Sequence, residues 1–283
     1  MAVDLTAVIL TYNEARNLPA CLDSLAGLAR EIVVVDSGST DETLSVASAR
    51  GARTYHHPFE GFPCQWNWIL AKIPVRTAWV LALDADYRVS PALRILIEGA
   101  LAAAPTEISG YYVDRRLIFR GRWLRWGGCT QRMLKLFRAG HVWCHDQEAP
   151  DIRFVARGAT GHLRAPLIED NRNEADLRVW YEKQRRYAAI LARSEWRWRT
   201  SSRTWPIKPS LRGTPDQRVL WRKELWYGMP RFVRPLLYFG YRYVVLRGFL
   251  DGWQGFLYHS VQGFWLRWLV DIELGRVQRA GPA

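Results

Sequence analysis

Apolar residues gather in four short blocks through the first third of the chain: TAVILTY at 6–12, EIVVVDS at 31–37, ARTYHH at 52–57 and AWVLALDAD at 78–86. Between them, 15–29, 40–50 and 65–73 place apolar residues at the spacing of a helix that buries one face. Strands alternating with helices in this way predict an α/β fold, a mostly parallel sheet flanked by helices. A helix over 91–104, the strand GYYVDRRLIF and the strand-like MLKLFR extend it, with an Arg- and Trp-rich loop between the last two. From about Glu174 the pattern changes to Arg-rich helix, interrupted over 203–215 by three prolines that read as a linker. Helical stretches follow at 218–227, 230–250 and 252–275. In the second, Arg242 and Arg247 are spaced to share a face, as in a helix lying in a membrane plane. These changes divide the chain into a sheet domain over 1–175 and a helical region over 176–283.

In open parallel sheets ligands bind at the carboxyl ends of the strands. Three polar clusters fall there: Thr11-Tyr12-Asn13-Glu14, Asp36-Ser37-Gly38-Ser39-Thr40-Asp41 and Asp84-Ala85-Asp86. They are expected to converge on one cleft. Asp84 and Asp86, two apart in extended chain, point to one side and can hold a hard divalent cation through oxygen. A pair of this kind is common by chance, and its company with the other two clusters is what gives it weight.

Charge sharpens the division. The net charge is +13, yet residues 1–177 balance 20 Lys/Arg against 20 Asp/Glu, whereas 178–283 hold 20 against 7 together with nine of the fifteen Trp. Cations mixed with aromatic rings suit an anionic membrane surface. The same mixture could serve single-stranded nucleic acid, but no RNA-binding signature accompanies it, and no nucleic-acid partner is expected. Gly252 to Leu266, the longest uncharged apolar-rich run, is 15 residues, shorter than the roughly 20 needed to span a bilayer. MAVDLTAVIL carries Asp4 and no basic leader, and reads as a strand, not a secretory signal. The four cysteines are scattered, which fits a reducing compartment. Cys129, His141, Cys144 and His145 match no standard zinc spacing.

Taken in order, TYNEARNLPACLDSL, EIVVVDSGSTDET, GARTYHHPFEGF, Gln65 with Asn67, LALDAD and MLKLFRAG resemble the family 2 glycosyltransferases, in the branch related to lipopolysaccharide core glucosyltransferases. The resemblance covers residues 5 to about 195, with a looser likeness at LRGFLDGWQGFLY. It implies a GT-A fold in which Thr11, Tyr12, Asn13 and Glu14 lie beside the nucleoside of a nucleoside-diphosphate sugar. Asp36 and Ser37 would face base or ribose, Asp84 the ribose or sugar, and Asp86 with Asp84 a Mg2+ or Mn2+ ion. Gln65 and Asn67 match donor-facing positions. The family's glutamate after the LFR strand aligns with Glu148, with Asp146 its rival as the base, while Gln147 replaces a common histidine. Tyr87 stands where the branch often has an acid and Trp66 where it often has a lysine; Arg132 is a candidate replacement cation for phosphate.

The activity so implied is metal-dependent, inverting transfer of a hexose, with UDP-sugar the favoured donor, to a lipid-linked saccharide or lipopolysaccharide acceptor. The enzyme would sit peripherally on the cytoplasmic face of the inner membrane. Tyr87, Trp66 and Gln147 motivate a second class, a nucleotide-sugar-binding or membrane scaffold without turnover. A tail this aromatic could also bury part of itself in a partner subunit.

Overall fold

The computed structural model describes residues 2–144, 153–200, 205 and 207–280. They form two compact units, one of residues 2–118, 131–144 and 153–173, the other of 119–130 and the described residues from 174 onward.

In the first unit, β1 (Val3–Thr11), α1 (Leu18–Leu25), β2 (Ala29–Asp36), α2 (Thr43–Ala49), β3 (Arg53–His56), α3 (Phe62–Lys72) and β4 (Trp79–Asp84) alternate along the chain. Then come β5 (Tyr87–Val89), α4 (Pro91–Ala102) and β6 (Ile108–Phe119). After the two-residue β7 (Arg122–Trp123) of the other unit follow β8 (Gln131–Arg138), β9 (Val142–Cys144), β10 (Phe154–Ala156) and β11 (Ala159–Asp170). The sheet runs β3-β2-β1-β4-β8-β6-β11-β5. The first four strands are parallel, as are β6 and β11, while β8 and β5 run antiparallel to their neighbours. β9 and β10 pair as a separate antiparallel ribbon.

Strand alternation builds two cores. Leu5, Ala7 and Ile9 of β1 join Leu18, Leu22 and Leu25 of α1 and Leu93 and Ile97 of α4 on one face. Val8 and Leu10 join Trp66 and Ile69 of α3 on the other. These strands read as continuous apolar runs because both faces are covered. α4 begins where Ser90 Oγ accepts from the Leu93 amide at 3.2 Å with Pro91 following, a cap legible in the sequence. The 12-residue β11, by contrast, is absent from the sequence reading: HLRAPLIED breaks period-two alternation with a proline, and the register with β6 shifts between Leu163 and Pro166.

The second unit holds α5 (Leu177–Thr200), α6 (Pro215–Gly228), α7 (Arg234–Gly240), α8 (Gly252–Tyr258) and α9 (Leu266–Ala280). α5 packs along α9 through Ala188, Ala192, Leu266, Val270 and Leu274. The helix expected over 230–250 is not continuous. α7 passes into a π-helical turn (Tyr241–Val245), Arg247 adopts a left-handed backbone (φ 59°), and a 3-10 turn (Gly248–Asp251) leads into α8. The chain then returns through a second π-helical segment (His259–Trp265) that packs on α7. Arg242 and Arg247 therefore do not share a face: Arg242 turns inward, donating to Gly127 O at 2.6 Å, and Arg247 is exposed. No helix among the described residues is long and apolar enough to cross a membrane.

Candidate functional site

Thr11 pairs with Asp36 and Leu10 with Asp84 in the sheet register, so β1, β2 and β4 end at one edge. β11 ends at the same edge, where Glu169 pairs with Tyr87 of β5 and the Asp170 amide donates to Asp86 O at 3.0 Å. The three clusters picked out by position thus meet, joined by Asn171 and Asn173.

The first two loops are stitched together by short polar side chains. Asn13 takes a left-handed backbone (φ 54°), which Asn tolerates better than most residues. Its amide donates to Ser39 Oγ and its Oδ1 accepts from the Thr40 amide, both at 2.8 Å. The Glu14 amide donates to Thr43 Oγ1 at 2.8 Å and the Ala15 amide to Asp41 at 3.1 Å. Asp36 is buried, and its oxygens accept from the Gly38 and Ser39 amides, the Ser39 hydroxyl and, at 2.9 Å, the Thr11 hydroxyl. Burial alone would raise its carboxyl; the Ser39, Thr11 and Gly38 hydrogen bonds outweigh it and hold the group below the usual carboxylate range. Gly38, at φ 94°, permits the turn. Asp36 organises both loops, and Thr11 lies buried beneath them while Tyr12 is 60% exposed.

Ser37 and Gln65 form a second layer. Gln65 is buried on α3, its Oε1 lies 2.7 Å from His57 Nδ1, and its Nε2 donates to Ser37 Oγ and His57 O at 3.3 Å. Asn67 Oδ1 accepts from the Cys144 amide at 3.2 Å, tying α3 to β9. Both amides that the resemblance turns toward a donor are thus engaged within the protein. Trp66 between them fills the core, edge-on to Phe154, so no cation could stand at its position without desolvation.

Asp84 ends β4 and Asp86 follows it, both half-buried. Lys135 of β8, almost fully buried, places its Nζ 3.3 Å from Asp84 and lies over the Tyr87 ring at 5.1 Å. Asn171 Nδ2 donates to Asp86 Oδ2 at 3.0 Å. Asn17 Nδ2 bridges Glu14 at 2.7 Å and Asn171 at 3.1 Å, and Asn173 Nδ2 reaches Glu14 and Asn13 O at 3.1 Å. One amide-linked network therefore joins Glu14 to Asp86. Beneath it, burial pushes the Cys21 thiol well up, and Asp86, Asp84 and Glu14 add to that rise. Of these acids Asp84 is balanced by Lys135, and Asp86 with Glu14 is held by side-chain amides, which leaves both carboxylates negative at the strand ends.

Arg132 is paired with Asp114 at 3.3 Å, which also meets His162 at 3.0 Å. Glu148 and Asp146 lie outside the described residues, as does His145. No group of three or more His, Cys, Asp or Glu suited to a metal occurs among the described residues. Sequence reasoning missed Asn17, Lys135, Asn171 and Asn173. Asn17 and Lys135 sit inside the quoted TYNEARNLPACLDSL and MLKLFR runs; Asn171 and Asn173 follow β11, a strand that sequence pattern did not reveal.

Residues 6–145 match the sequence profile of Glycosyl transferase family 2. Over 117 residues the chain is 38% identical to the lipopolysaccharide core biosynthesis glycosyltransferase LpsC of Rhizobium meliloti, covering 40% of this chain and 42% of that protein. Over 99 residues it is 34% identical to an uncharacterized glycosyltransferase of Rickettsia bellii, covering 35% of this chain and 33% of the other. The matches thus span well under half the length of these relatives. Mannosyl-3-phosphoglycerate synthase from Rubrobacter xylanophilus is similar at a TM-score of 0.45 and 18% identity, covering 72% of this chain and 76% of that one. Glucosyl-3-phosphoglycerate synthase from Mycobacterium tuberculosis, solved with Mn2+, UDP and phosphoglyceric acid, is similar at a TM-score of 0.31 and 27% identity, covering 41% and 43%. With likenesses this partial, the fold is read from the chain's own strand order and the profile match. Residues 6–145, which carry the three clusters and the strands β1 to β9, are similar to glycosyl transferase family 2.

Proposed function

We propose that the protein is an inverting glycosyltransferase moving a hexose from a nucleoside-diphosphate sugar, with UDP-sugar favoured, to a membrane-associated lipid-linked saccharide or lipopolysaccharide core acceptor. The observation that carries the reading is the hydrogen-bonded chain Glu14–Asn17–Asn171–Asp86 at the strand ends, with Asp84 two residues before Asp86, the acids lying within the segment matching the family. Similarity to a protein of lipopolysaccharide core biosynthesis supports the acceptor class. The excess of cations and Trp after residue 177 supports peripheral attachment to the anionic cytoplasmic face of the inner membrane.

The site's donor set fits a divalent cation, Mg2+ or Mn2+: hard carboxylate oxygens in a field of like charge. Asp86 is the principal ligand, because Asp84 already faces Lys135. The ion, when bound, stabilises negative charge on the departing diphosphate. Asn171 orients Asp86, and Asn17 and Asn173 hold Glu14, which is linked to Asp86 through Asn17 and Asn171. Thr11, Asn13 and the Asp36 turn shape the nucleoside side, with Tyr12 available to cover it. An acceptor oxygen bonds to the anomeric carbon as the carbon–oxygen bond to the diphosphate breaks on the opposite face, and the acceptor's proton passes to a carboxylate. Glu148 is assigned that role, with Asp146 as the alternative.

Glu148→Gln is expected to lower turnover at least ~100-fold while leaving donor binding intact, read by product formation and by donor titration on the same preparation. Near-normal turnover contradicts the assignment of Glu148. Donor binding without transfer by the wild-type protein across a broad acceptor panel points instead to a scaffold without turnover.

A further inference from the structure

The second unit contains a helical hairpin whose surface is unlike the rest of this charged chain. α7 and the π-helical turn after it ascend, the chain reverses at Leu246–Asp251, and α8 descends. The arms are locked by rings: Tyr243 meets Phe249 and Phe256 edge-on at 6.2 and 5.8 Å, and Phe239 meets Phe264 at 6.5 Å. At the tip, Val244, Val245, Phe249, Leu250, Trp253 and Phe256 are each 44–66% exposed. Residues 241–256 contain three charged side chains, and two are turned inward. Arg242 reaches Gly127 O and Cys129 Sγ, and Asp251, 2% exposed, accepts from the Arg125 and Trp126 amides at 3.1 and 2.9 Å. Arg247 alone of the three is exposed.

Several backbone groups of the reversal are paired within the protein. The Leu246 amide donates to Tyr241 O, the Arg247 amide to Val244 O and the Leu250 amide to Arg247 O, while Leu246 O accepts from the Gly127 amide. Each backbone group paired in this way lowers the desolvation cost of taking an apolar tip out of water.

Cations surround its base. Two of them flank the tip itself: Arg122 donates to Leu250 O at 3.2 Å and Arg120 lies over the Trp253 ring at 5.6 Å, while Arg125, exposed, lies over Trp123 at 4.3 Å and Trp126 is 41% exposed. An apolar point ringed by arginine and tryptophan matches the depth profile of a bilayer with anionic headgroups, where rings and cations settle at the interface above the acyl chains. The excess of cations over residues 178–283, 20 against 7 acids, has the sign such a surface requires.

We infer that the hairpin tip, Val244 to Phe256, inserts at interfacial depth into one leaflet of an anionic membrane as a shallow monotopic wedge, with Arg247 at its apex and Arg120, Arg122 and Arg125 beside it meeting the headgroups. This deepens, and rests on, the membrane-surface attachment in the proposed function, and assigns it to one element. It also gives a use to the Arg- and Trp-rich loop between β6 and β8, which lies in the same unit as the hairpin.

The test is co-sedimentation of the full chain with vesicles of equimolar phosphatidylglycerol and phosphatidylcholine, and with phosphatidylcholine alone. Wild type is compared with Val245→Glu/Phe249→Glu, with the milder Phe249→Ser, and with Arg125→Gln/Arg247→Gln. UDP binding in the presence of Mn2+ is titrated on each preparation. Wild type is expected to bind the anionic vesicles and to stay bound through about 1 M salt, which screens surface charge but not apolar insertion. The double-Glu variant is expected to lose vesicle affinity at least about tenfold, and Phe249→Ser to lose part of it, both with UDP binding unchanged. The arginine pair is expected to lose the preference for anionic lipid.

Equal vesicle binding by wild type and the double-Glu variant overturns the wedge while leaving membrane attachment standing. No vesicle binding by a wild type that binds UDP overturns both and leaves the transferase reading intact. Vesicle binding without UDP binding keeps the wedge and sinks the functional reading. A wild-type dimer that ignores vesicles and is split by Phe249→Ser assigns the tip to a second copy of the chain and overturns the wedge.

Discussion

His259 is buried in the second unit, and neither ring nitrogen meets a hydrogen-bond partner among the described residues. The ring is clasped by glycine: a Cβ added at Gly127 or Gly248 would stand 2.1 or 2.6 Å from it. Burial, with the Arg242 guanidinium adding to it, pushes its pKa down to about 4. The unfolded chain therefore takes up a proton near pH 6.5 that the folded chain refuses until about pH 4, so stability is complete above the upper value and falls as pH drops between the two. The loss should be on the order of 3 kcal/mol. Urea unfolding at pH 7.5 and pH 5 captures about 2 kcal/mol of it, the part that falls between pH 6.5 and 5, and His259→Leu should remove that share of the pH dependence; an unchanged profile would place the effect elsewhere. At this scale the sequence exposed residue types but not their neighbours. Asp36 and Gln65 were legible as polar residues near a strand end. That their hydrogen-bonding capacity is taken up by Ser39, Thr11, Gly38, His57 and Ser37 depends on side-chain directions that one chain does not reveal.

Among the elements, α5, α7 and α9 are joined by a buried charged clasp. Arg234, fully buried on α7, reaches both oxygens of Glu195 at 2.9 and 3.0 Å and Asp271 through Nε at 2.9 Å and through Nη2, and stacks over Trp226. Arg199 also meets Glu195. Such a network satisfies its members only when complete, so Arg234→Met leaves buried Asp271 without a cation and Glu195 with Arg199 alone, and should cost about 3–5 kcal/mol. Chemical denaturation checks this. The triple replacement Arg234→Met/Glu195→Leu/Asp271→Leu should recover most of the loss, and a triple variant as unstable as the single would contradict the clasp. Element boundaries in the first half followed from apolar runs and caps, because β1, β2 and β4 are covered on both faces and α4 carries its Ser-Pro start. β11 stayed hidden because a proline and a register shift interrupt it, and with it went Asn171 and Asn173. The break at Arg247 was hidden too, since the spacing of apolar residues across it still reads as helix while the left-handed turn is a property of the backbone.

For the molecule as a whole, the contrast between a charge-balanced half and a strongly basic one was plain in the sequence, and so was the convergence of three polar clusters, since strand order follows from short right-handed connections. What the sequence left open was how those clusters are held: by Lys135 against Asp84, and by an amide network from Glu14 to Asp86. The central claim is that this gathering of carboxylates is a metal-assisted nucleoside-diphosphate-sugar site. Calorimetric titration of the full chain with UDP- and GDP-sugars, with and without Mn2+ or Mg2+, in wild type and Asp86→Ala, tests it most directly. Binding that requires the metal in wild type and weakens at least about tenfold in the variant is the result the account expects; equal binding by both proteins, or none by wild type under any condition, would contradict it.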